Sequence, residues 1–382
     1  MESRAGGLRI AHLTATFPPY PGGAGNTAFR FAREQSARGH HVEVFTATPG
    51  THGERHGATE VVDGITVHRM ALRLPWDLPV NPLAPLTMRD RLATFDVVHV
   101  HMGVVSPFAV DAAFLTRRIG LPTAMTWHCM LDRFATVVSA LGVVRRWAAG
   151  GMAMSAVSDV AAAPLRRVLG DAGSVSVLPN GIDVEAWRPQ GPRPDDGVVR
   201  FVTAMRLANR KRPVPLMRVM RQVRALVPAS REIALEVLGE GPDRGSVERY
   251  LAEHGMASWV SLPGRVPRTS VRDRYASADV YISPARLESF GIAALEARTS
   301  GLPVVARSGS GVGEFVTDGV NGFLADDDGS MGAALARLAS DDTLRERMRA
   351  HNLHQAPAQD WPRVAELAEA EYLRAVGATV RA

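Results

Sequence analysis

Short apolar runs rich in β-branched residues alternate along the chain with longer stretches of helical periodicity. Helix-like stretches such as NTAFRFAREQSARG and PFAVDAAFLTRRIG separate several of these runs. Strands that are apolar on both faces, with helices between them, are typical of a parallel sheet covered by helices. In the first half the pattern predicts strands at 8–15, 42–47, 65–70, 97–101, 123–128, 152–158 and 175–180.

The alternation restarts after a stretch rich in proline, glycine and aspartate at 187–197, which we expect to be a linker. The chain is predicted to be helical from Ser330 onward. We therefore expect an α/β protein with two successive Rossmann-like domains, whose parallel sheets face a central binding cleft. The second-half strands are predicted at 198–205, 234–241, 260–264, 279–285, 303–308 and 322–325.

Length and composition limit the number of domains and the cellular compartment that we expect for the protein. A length of 382 residues favours two domains over one. Cys129 is the only cysteine, so no internal disulfide can form, which suits a reducing cytoplasm. No apolar run has the length of a signal peptide or of a membrane span, so we expect a cytoplasmic protein.

The net charge of +5 comes from dispersed arginines rather than from a basic tail. Zinc-ligand spacing, aromatic ribonucleoprotein motifs and basic arms are absent from the sequence, so no nucleic-acid partner is predicted. Two interpretations of the basic surface stay open. It is either an ordinary solvated surface or a peripheral contact with anionic lipid at the inner face of the membrane.

Lys211 is the single lysine among 44 basic residues. It follows Arg206 by five positions, at the junction between a predicted strand and a helix. A compact ammonium and a guanidinium near a helix N-terminus suit a diphosphate. Surface charge is the alternative, but Arg206 directly follows an apolar strand, which favours a binding role.

The segment SPARLESFGIAALEARTSGLPVV carries two glutamates eight positions apart, Glu288 and Glu296. We expect Gly291 to open a helix whose N–H groups near Gly291 and Ile292 face a phosphate. Glu296 lies in the apolar run IAALEA and leans back toward the same helix end. Carboxylates accept hydrogen bonds from sugar hydroxyls, so this segment indicates a site for a sugar.

The first half carries weaker signals. Gly23, Gly25 and Ala28 loosely match a dinucleotide fingerprint, but the loop is too long and the second strand lacks a terminal carboxylate. A phosphate-binding loop and an ordinary helix start stay equally open. His128 ends a predicted strand and is as a lone histidine more often structural. His99 and His101 share a strand face, but no third ligand has suitable spacing, so no metal site is predicted.

Together these segments resemble the retaining glycosyltransferases of the GT-B fold, in particular glycosyltransferase family 4. The similar pieces occur in the family's order over nearly the whole chain. They are PPYPGGAGNTAF, DVVHVH, TWH, SAVS, LPNGID, the Arg206–Lys211 pair, LGEGP, LPGRVP, YASADVYISPARLESFGIAALEA, GLPVVA, GVGEFV and DGVNGFL.

The resemblance implies an acceptor-binding domain at 1–190, joined by a C-terminal helix at about 361–382, and a donor-binding domain at 191–360. It implies transfer of a hexose from a UDP- or GDP-linked sugar to a hydroxyl acceptor, with retention and without a cofactor or metal. The acceptor class stays open between a lipid, a glycan and a small metabolite. The mixed apolar and arginine-rich stretches 72–92 and 131–148 are the candidate acceptor segments.

The resemblance also implies a role for each matching residue. Arg206 and Lys211 bind the donor diphosphate, Glu288 and His128 contact the transferred sugar, and Glu296 holds the ribose. The backbone of Phe290, Gly291 and Ile292 is implied to contact the phosphate and the sugar. Arg265 and Val266 are implied to lie near the base. The loop of Gly23 is implied to lie near the diphosphate and the acceptor.

This sequence departs from the family pattern at several positions. Ser310 stands where the family often has glycine, and Gly313 where it has proline. Cys129 and Arg212 replace glycines that commonly follow the histidine and the lysine. Two other functions stay open: a phosphorylase that holds pyridoxal phosphate on Lys211, and a sugar-nucleotide-binding protein without catalysis.

Overall fold

The computed structural model describes residues 7–20, 22–54, 57–72, 81–103, 106–131 and 141–379. The chain forms two compact units: Met1–Gly181 together with Trp361–Ala382, and Ile182–Asp360. This division precedes the boundary expected after residue 190, and it places the stretch 187–197 inside the second unit. None of the helices in the described ranges has the length and apolarity to cross a lipid bilayer.

The first unit contains an eight-stranded sheet with the order β3-β4-β2-β1-β5-β6-β7-β8. All neighbouring strands are parallel except β3 and β4. The central strand is buried because helices cover both faces of the sheet, as its continuous apolar run predicts. The strands are β1 (Arg9–Thr14), β2 (His41–Thr46), β3 (Ala58–Val62), β4 (Ile65–Arg69), β5 (Val97–Met102), β6 (Thr123–Trp127), β7 (Ala153–Ala156) and β8 (Val175–Val177).

The described helices of the first unit are α1 (Gly23–Ala37), α2 (Ala84–Leu92), α3 (Pro107–Arg118), α4 (Val143–Ala149) and α5 (Asp159–Leu169), with the C-terminal helix described below. Strand β3 was not predicted. It pairs antiparallel at the sheet edge and buries none of its residues fully, so it lacks the apolar run that marks the other strands. Parts of both candidate acceptor segments, 73–80 and 132–140, lie outside the described residues.

The second unit contains a six-stranded parallel sheet with the order β11-β10-β9-β12-β13-β14. The chain moves outward from β9 to one edge, then returns to start β12 on its other side. Parallel sheets bind ligands at this reversal, beyond the carboxyl ends of the two strands. The strands are β9 (Val198–Ala204), β10 (Glu232–Leu238), β11 (Val260–Gly264), β12 (Val280–Ser283), β13 (Val304–Arg307) and β14 (Gly322–Ala325).

The remaining described helices belong to the second unit, except for the C-terminal one, which belongs to the first. Those of the second unit are α6 (Val184–Trp187), α7 (Pro213–Leu226), α8 (Arg244–Glu253), α9 (Arg268–Ser277), α10 (Ile292–Thr299), α11 (Asp328–Ser340) and α12 (Asp342–His354). The C-terminal helix of the first unit is α13 (Trp361–Thr379).

Helix α13 completes the core of the first unit. Its apolar face, including Trp361 and Tyr372, is buried with residues of the central strands. The Trp361 ring meets Phe31 edge-on, with 5.2 Å between the ring centroids. A Cβ atom at Gly181 would come within 2.4 Å of the same indole, so only glycine fits there. The helix is therefore an integral part of this unit.

Candidate functional site

Lys211 and Glu288, 77 positions apart in sequence, meet as an ion pair in the second unit. Lys211 ends a short 3-10 turn after β9, and Glu288 follows β12. Because β9 and β12 are neighbours, their carboxyl ends lie side by side where the strand order reverses. The side chains are 25% and 16% exposed, so solvent and a ligand can reach both.

The turn that presents Lys211 depends on the residue after it. Arg212 adopts a left-handed backbone conformation with φ of 60°. A side chain disfavours that region, so glycine would adopt the same backbone at lower cost. Arg212 is held by a bidentate pair with Asp328, at 2.7 and 3.0 Å. The ion pair compensates for the strained turn that leads into α7.

Arg206 lies on the same β9–α7 loop and is exposed. The adjacent backbone is fixed by the LGEGP loop, where Cβ atoms at Gly239 and Gly241 would approach the carbonyl oxygens of Met205 and Leu207 to 1.9 and 2.2 Å. Both positions therefore require glycine. The structure places Arg206 and Lys211 on one loop beyond the same strand.

The turn from Glu288 to Gly291 leads into α10. Gly291 is the N-cap residue with φ of 91°, and Phe290 is buried beneath the turn. The Gly311 amide donates to the Glu288 carbonyl at 2.8 Å. A Cβ at Gly311 would meet the Ser289 carbonyl oxygen at 2.2 Å, so the two loops touch through backbone alone. The first N–H groups of α10, from Ile292 onward, begin at this turn as predicted.

Ser310 fills the position where the family often has glycine. Its side chain is buried, and the hydroxyl donates to the Arg307 carbonyl at 2.7 Å. The three aspartates of 326–328 each have a partner as well: Ser308 donates to Asp326, the Ser330 amide donates to Asp327 at 2.7 Å, and Arg212 pairs with Asp328. Their roles in the structure are local capping and pairing.

Glu296 is only 8% exposed and forms an ion pair with Arg268, the first residue of α9. The Arg268 guanidinium also lies over the Trp187 ring, 5.2 Å from its centroid. Sequence reasoning missed Arg268. The predicted base-contacting residues, exposed Arg265 and partly buried Val266, lie just before it, in the β11–α9 loop.

In the first unit, Gly23 is the first residue of α1, exposed and facing open space. Its N-cap residue is Gly22, which has no side chain to accept a hydrogen bond from the first N–H groups of the helix. A Cβ at Gly25 would meet the Thr16 carbonyl oxygen at 2.1 Å, which requires glycine there. His128 follows β6 and is hydrogen-bonded to Asn180, which accepts a hydrogen bond from Thr27 at 3.0 Å.

Three buried histidines, His12, His99 and His101, stack on the neighbouring central strands β1 and β5. One ring nitrogen from each lies within 4.8 Å of the others. The sequence-based expectation that the His99–His101 pair lacks a third neighbour was wrong, because β1 brings His12 beside it. All six ring nitrogens already have a hydrogen-bond partner within 2.9 Å, from His12, His101, Gln35, Tyr372, Thr126 and His128.

Burial determines the charge of this cluster. It lowers the pKa of His12 and of His128 to about 4, and it lowers the pKa values of His99 and His101 well below their ordinary value. All four rings are therefore neutral at pH 7. A proton on any of them would have to be accommodated without water.

Comparison with known proteins places both units. Residues 21–186 match the model of Glycosyltransferase Family 4, and residues 183–354 match that of Glycosyl transferases group 1. The chain belongs to the family 4-like glycosyltransferases. The two matches follow one another along the chain and together span residues 21–354.

Curated relatives of this glycosyltransferase cover most of its length. The chain is 26% identical over 380 residues to a phosphatidylinositol N-acetylglucosaminyltransferase component of Arabidopsis thaliana, spanning 97% of this chain and 82% of that protein. It is 25% identical over 340 residues to the GDP-mannose-dependent alpha-(1-6)-phosphatidylinositol monomannoside mannosyltransferase of Mycobacterium tuberculosis strain CDC 1551 / Oshkosh, spanning 83% and 85%.

A solved structure confirms the GT-B fold. Anabaena HepE, in complex with UDP and glucose, superposes with a TM-score of 0.74 at 18% sequence identity. The match covers 95% of this chain and 99% of that one. The glycosyltransferase thus has two Rossmann-like domains, as the alternation of strands and helices predicts.

Proposed function

We propose that this glycosyltransferase moves a hexose from a nucleotide diphosphate sugar to a hydroxyl acceptor, with retention at the anomeric carbon and without a metal ion. The observation that carries the proposal is the meeting of Lys211 and Glu288 beyond β9 and β12. A cation for phosphate and a carboxylate for sugar hydroxyls come together where such sheets bind nucleotides.

Each predicted donor contact has a place in the proposal. Lys211 and Arg206 offset the negative charge of the departing diphosphate, together with the N–H groups at the start of α10. Glu288 accepts hydrogen bonds from the hydroxyls of the transferred sugar. The ion pair with Glu288 keeps Lys211 oriented in the free protein, and an arriving diphosphate competes for the same ammonium.

The ribose contact requires a similar exchange. Glu296 is the proposed acceptor for the ribose hydroxyls, yet its carboxylate is paired with Arg268. Arg268 has a side chain that is 55% exposed, so it can move while Glu296 stays fixed in its helix. We propose that Arg268 then remains beside the nucleotide, close to Arg265 and Val266, where a base or phosphate would benefit from a cation.

The proposed chemistry needs no protein nucleophile. The bond from the anomeric carbon to the diphosphate oxygen breaks, and the acceptor oxygen attacks from the same face. The acceptor proton passes to an oxygen of the leaving phosphate. Negative charge accumulates on the diphosphate as it departs. Lys211 and Arg206 therefore stabilise the transition state more strongly than the bound donor in its ground state.

For the substrates we propose a UDP- or GDP-linked hexose and favour an acceptor attached to a lipid. The Mycobacterium relative is named for GDP-mannose, whereas the Anabaena structure holds UDP and glucose. The names of both curated relatives include phosphatidylinositol. A lipid acceptor would bring the protein to a membrane surface, where its net positive charge favours anionic headgroups.

The first test is a thermal-shift panel of UDP-glucose, UDP-GlcNAc, GDP-mannose and the free nucleotides. A donor that binds the folded state raises Tm with concentration. The stabilising donor is then incubated with lipid and soluble acceptors in the presence of EDTA, and NMR of the anomeric proton reports the configuration of the product. Retained configuration supports the proposal. An inverted product, loss of activity in EDTA, or binding of a donor without transfer contradicts it.

A further inference from the structure

A polar pocket lies in the second unit, at the edge of the sheet opposite to Lys211 and Glu288. It has a volume of about 540 Å³, and its lining includes Val198, the first residue of β9, and Asp279, the residue before β12. Strand β9 has seven residues, so its two ends are roughly 20 Å apart. A ligand in this pocket therefore occupies a different site from the sugar donor at the carboxyl ends of the strands.

Positive charge predominates in the less exposed part of this lining. Five charged residues of the lining are buried or half-buried, and four of them are arginines: Arg193, Arg231, Arg345, Arg349 and, as the single carboxylate, Asp279. Asp279 pairs with Arg193 at 2.7 Å and lies 3.7 Å from Nε of Arg345. One buried carboxylate cannot neutralise four guanidinium groups, so this part of the pocket has a surplus of positive charge.

The remaining carboxylates of the lining, Asp195, Asp342 and Glu346, are exposed to solvent. Asp342 accepts hydrogen bonds from Arg231 at 2.9 Å and from Arg345 at 2.6 Å, and Glu346 pairs with Arg193. The side chains of Asp342 and Glu346 are 56% and 53% exposed, so water screens their charges. These carboxylates therefore compensate only partly for the less exposed arginines.

Two of the arginines have buried N–H groups without an acceptor. Nη1 of Arg349 and Nε of Arg345 are buried and have no hydrogen-bond partner among the residues that the structure describes. Burial, together with the nearby charge of Arg193, lowers the pKa of Arg349. Folded proteins rarely leave such donors unsatisfied, because the loss of water is then not compensated. The two donors indicate that the pocket takes up a group that supplies oxygen acceptors.

We propose that this pocket binds a phosphate group, carried by a small molecule or by a lipid headgroup, whose oxygens accept hydrogen bonds from Arg349 and Arg345. Guanidinium groups bind phosphate through charge-assisted hydrogen bonds, and the anion offsets the surplus positive charge. The volume lies within the range of small-molecule sites, roughly 300–1,000 Å³. This binding site does not depend on the proposed sugar transfer.

Titration calorimetry of the full-length protein with inorganic phosphate at pH 7 tests the site, with chloride added to keep the ionic strength constant. We expect saturable binding to the native protein. Arg349→Gln should weaken this binding about tenfold or more, because a charge-assisted hydrogen bond is lost. A native protein that shows no saturable binding at millimolar phosphate would overturn the proposal, and so would equal binding by Arg349→Gln.

Two variants show where the phosphate binds. Arg347→Gln removes an exposed charge from the same helix, α12, at a position outside the pocket lining, and should leave phosphate binding unchanged. Lys211→Ala removes the proposed diphosphate contact of the donor site, and phosphate binding that depends on Arg349 should persist in this variant. Phosphate binding that is lost in Lys211→Ala but kept in Arg349→Gln would instead support the proposed donor site and contradict the pocket.

Thermal unfolding of Arg349→Gln tests the surplus of positive charge. In chloride its Tm should be no lower than that of the native protein, because the substitution removes a half-buried cation without an ion-pair partner. Phosphate should raise the Tm of the native protein but not that of Arg349→Gln. A Tm of Arg349→Gln several degrees below that of the native protein in chloride would show that Arg349 stabilises the fold, which contradicts the proposal.

Flotation with vesicles containing phosphatidic acid, compared with vesicles of phosphatidylcholine alone, distinguishes the two sources of the phosphate. Capture of the native protein but not of Arg349→Gln would support the pocket and assign its ligand to a lipid headgroup. Binding of inorganic phosphate without capture on either kind of vesicle would support the pocket and assign its ligand to a soluble phosphate ester.

Discussion

The two units place opposite chemistry at equivalent points of similar sheets. In the first unit, the reversal of strand order between β1 and β5 holds neutral histidines linked by hydrogen bonds. In the second, the reversal between β9 and β12 presents the Lys211–Glu288 ion pair. The histidines are buried, whereas both members of the ion pair remain partly exposed. Depth of burial decides which kind of polar group each position can hold.

The physical reason lies in the cost of desolvating charge. An isolated ion in the interior costs several kcal/mol even after relaxation, whereas a neutral group needs only its hydrogen bonds. Partly exposed ions keep some solvent and can exchange partners with an arriving ligand. The strand reversal of the second unit is therefore suited to a charged ligand, and that of the first unit to neutral polar groups with hydrogen-bond partners.

The largest expected effect is the loss of the cation at the second unit's strand ends. Lys211→Ala and Arg206→Ala should each lower turnover by one to three orders of magnitude, roughly what single electrostatic donors contribute. Steady-state rates with the donor found by thermal shift give the measurement. Arg210→Ala removes an exposed neighbouring charge and should have almost no effect. Near-normal turnover of folded Lys211→Ala would refute the diphosphate role.

Lys211→Arg separates charge from shape at the same position. The guanidinium keeps the positive charge but is flat and larger than an ammonium. If the position requires a compact ammonium beside Glu288, the arginine variant should also lose turnover, by less than the alanine variant. Rates equal to those of the native protein would show that charge alone is needed.

The second prediction concerns acid. The folded-state pKa values of His12 and His128 lie near 4, below the ordinary value of 6.5. Between those values the unfolded chain binds more protons than the folded one, so stability is complete above pH 6.5 and decreases as pH falls toward 4. At pH 4, each of these two rings lowers the free energy of unfolding by up to about 3 kcal/mol.

Hydrogen exchange at pH 7 and pH 5 can locate this loss. We expect β1 and β5 to lose protection at pH 5 while β9 and β12 keep theirs. Glu43 and Asp342, whose pKa values are lowered from ordinary values of 4.5 and 3.8, lose their stabilising contribution mainly below pH 5. An equal loss in both units would argue against a buried neutral cluster as the cause.

The third prediction concerns the contact between two backbone segments in the second unit. Gly311→Ala places a methyl against the Ser289 carbonyl and should destabilise the protein by about 1–3 kcal/mol, as overpacking does. It should also raise the KM for the donor, because Glu288 is displaced. Gly313→Ala is the matched control: its new methyl would meet nothing closer than 3.9 Å. Denaturation curves that show equal losses for both variants would contradict this explanation.

The smallest effect is expected at Arg212. Arg212→Ala and Arg212→Gly both remove the pair with Asp328, but only glycine relieves the left-handed backbone. The alanine variant should therefore be less stable than the glycine variant by about 1 kcal/mol. Urea unfolding of the two proteins measures the difference directly. Equal midpoints would mean that the backbone strain is absent.

Most of the fold could be predicted because strands buried on both faces have continuous apolar runs. The edge strand β3 could not, since its sequence ATEVV carries half-exposed positions typical of a loop as well. The proximity of Lys211 and Glu288 also follows from the sequence, since both residues follow strands that are neighbours in a sheet of this order. The role of Arg268 could not be predicted, because its sequence context is that of a surface arginine. Its ion pair with Glu296 forms only when the chain folds.

The buried histidine cluster shows a second limit on what can be predicted from the sequence. His12 interrupts an apolar strand as a single polar residue, and nothing local says that it faces His101. Its hydrogen-bond partners His101 and Gln35 come from β5 and α1, and Gln35 in turn donates to Tyr372 of α13. A buried polar residue in a central strand was the available signal: such a residue needs hydrogen-bond partners, so other buried polar groups had to lie close to it.

Helix α13 has a consequence for synthesis on the ribosome. The first unit receives Trp361 and Tyr372 from a segment translated after the whole of the second unit. Until then the eight-stranded sheet lacks the helix that buries part of one face, and Gln35 and His99 lack their hydrogen-bond partner Tyr372. The second unit, uninterrupted in sequence, can fold as soon as it leaves the tunnel. The second unit can thus finish folding before the first unit, although the first unit begins to be translated earlier. A chain truncated before Trp361 should leave the core of the first unit incomplete and bind chaperones.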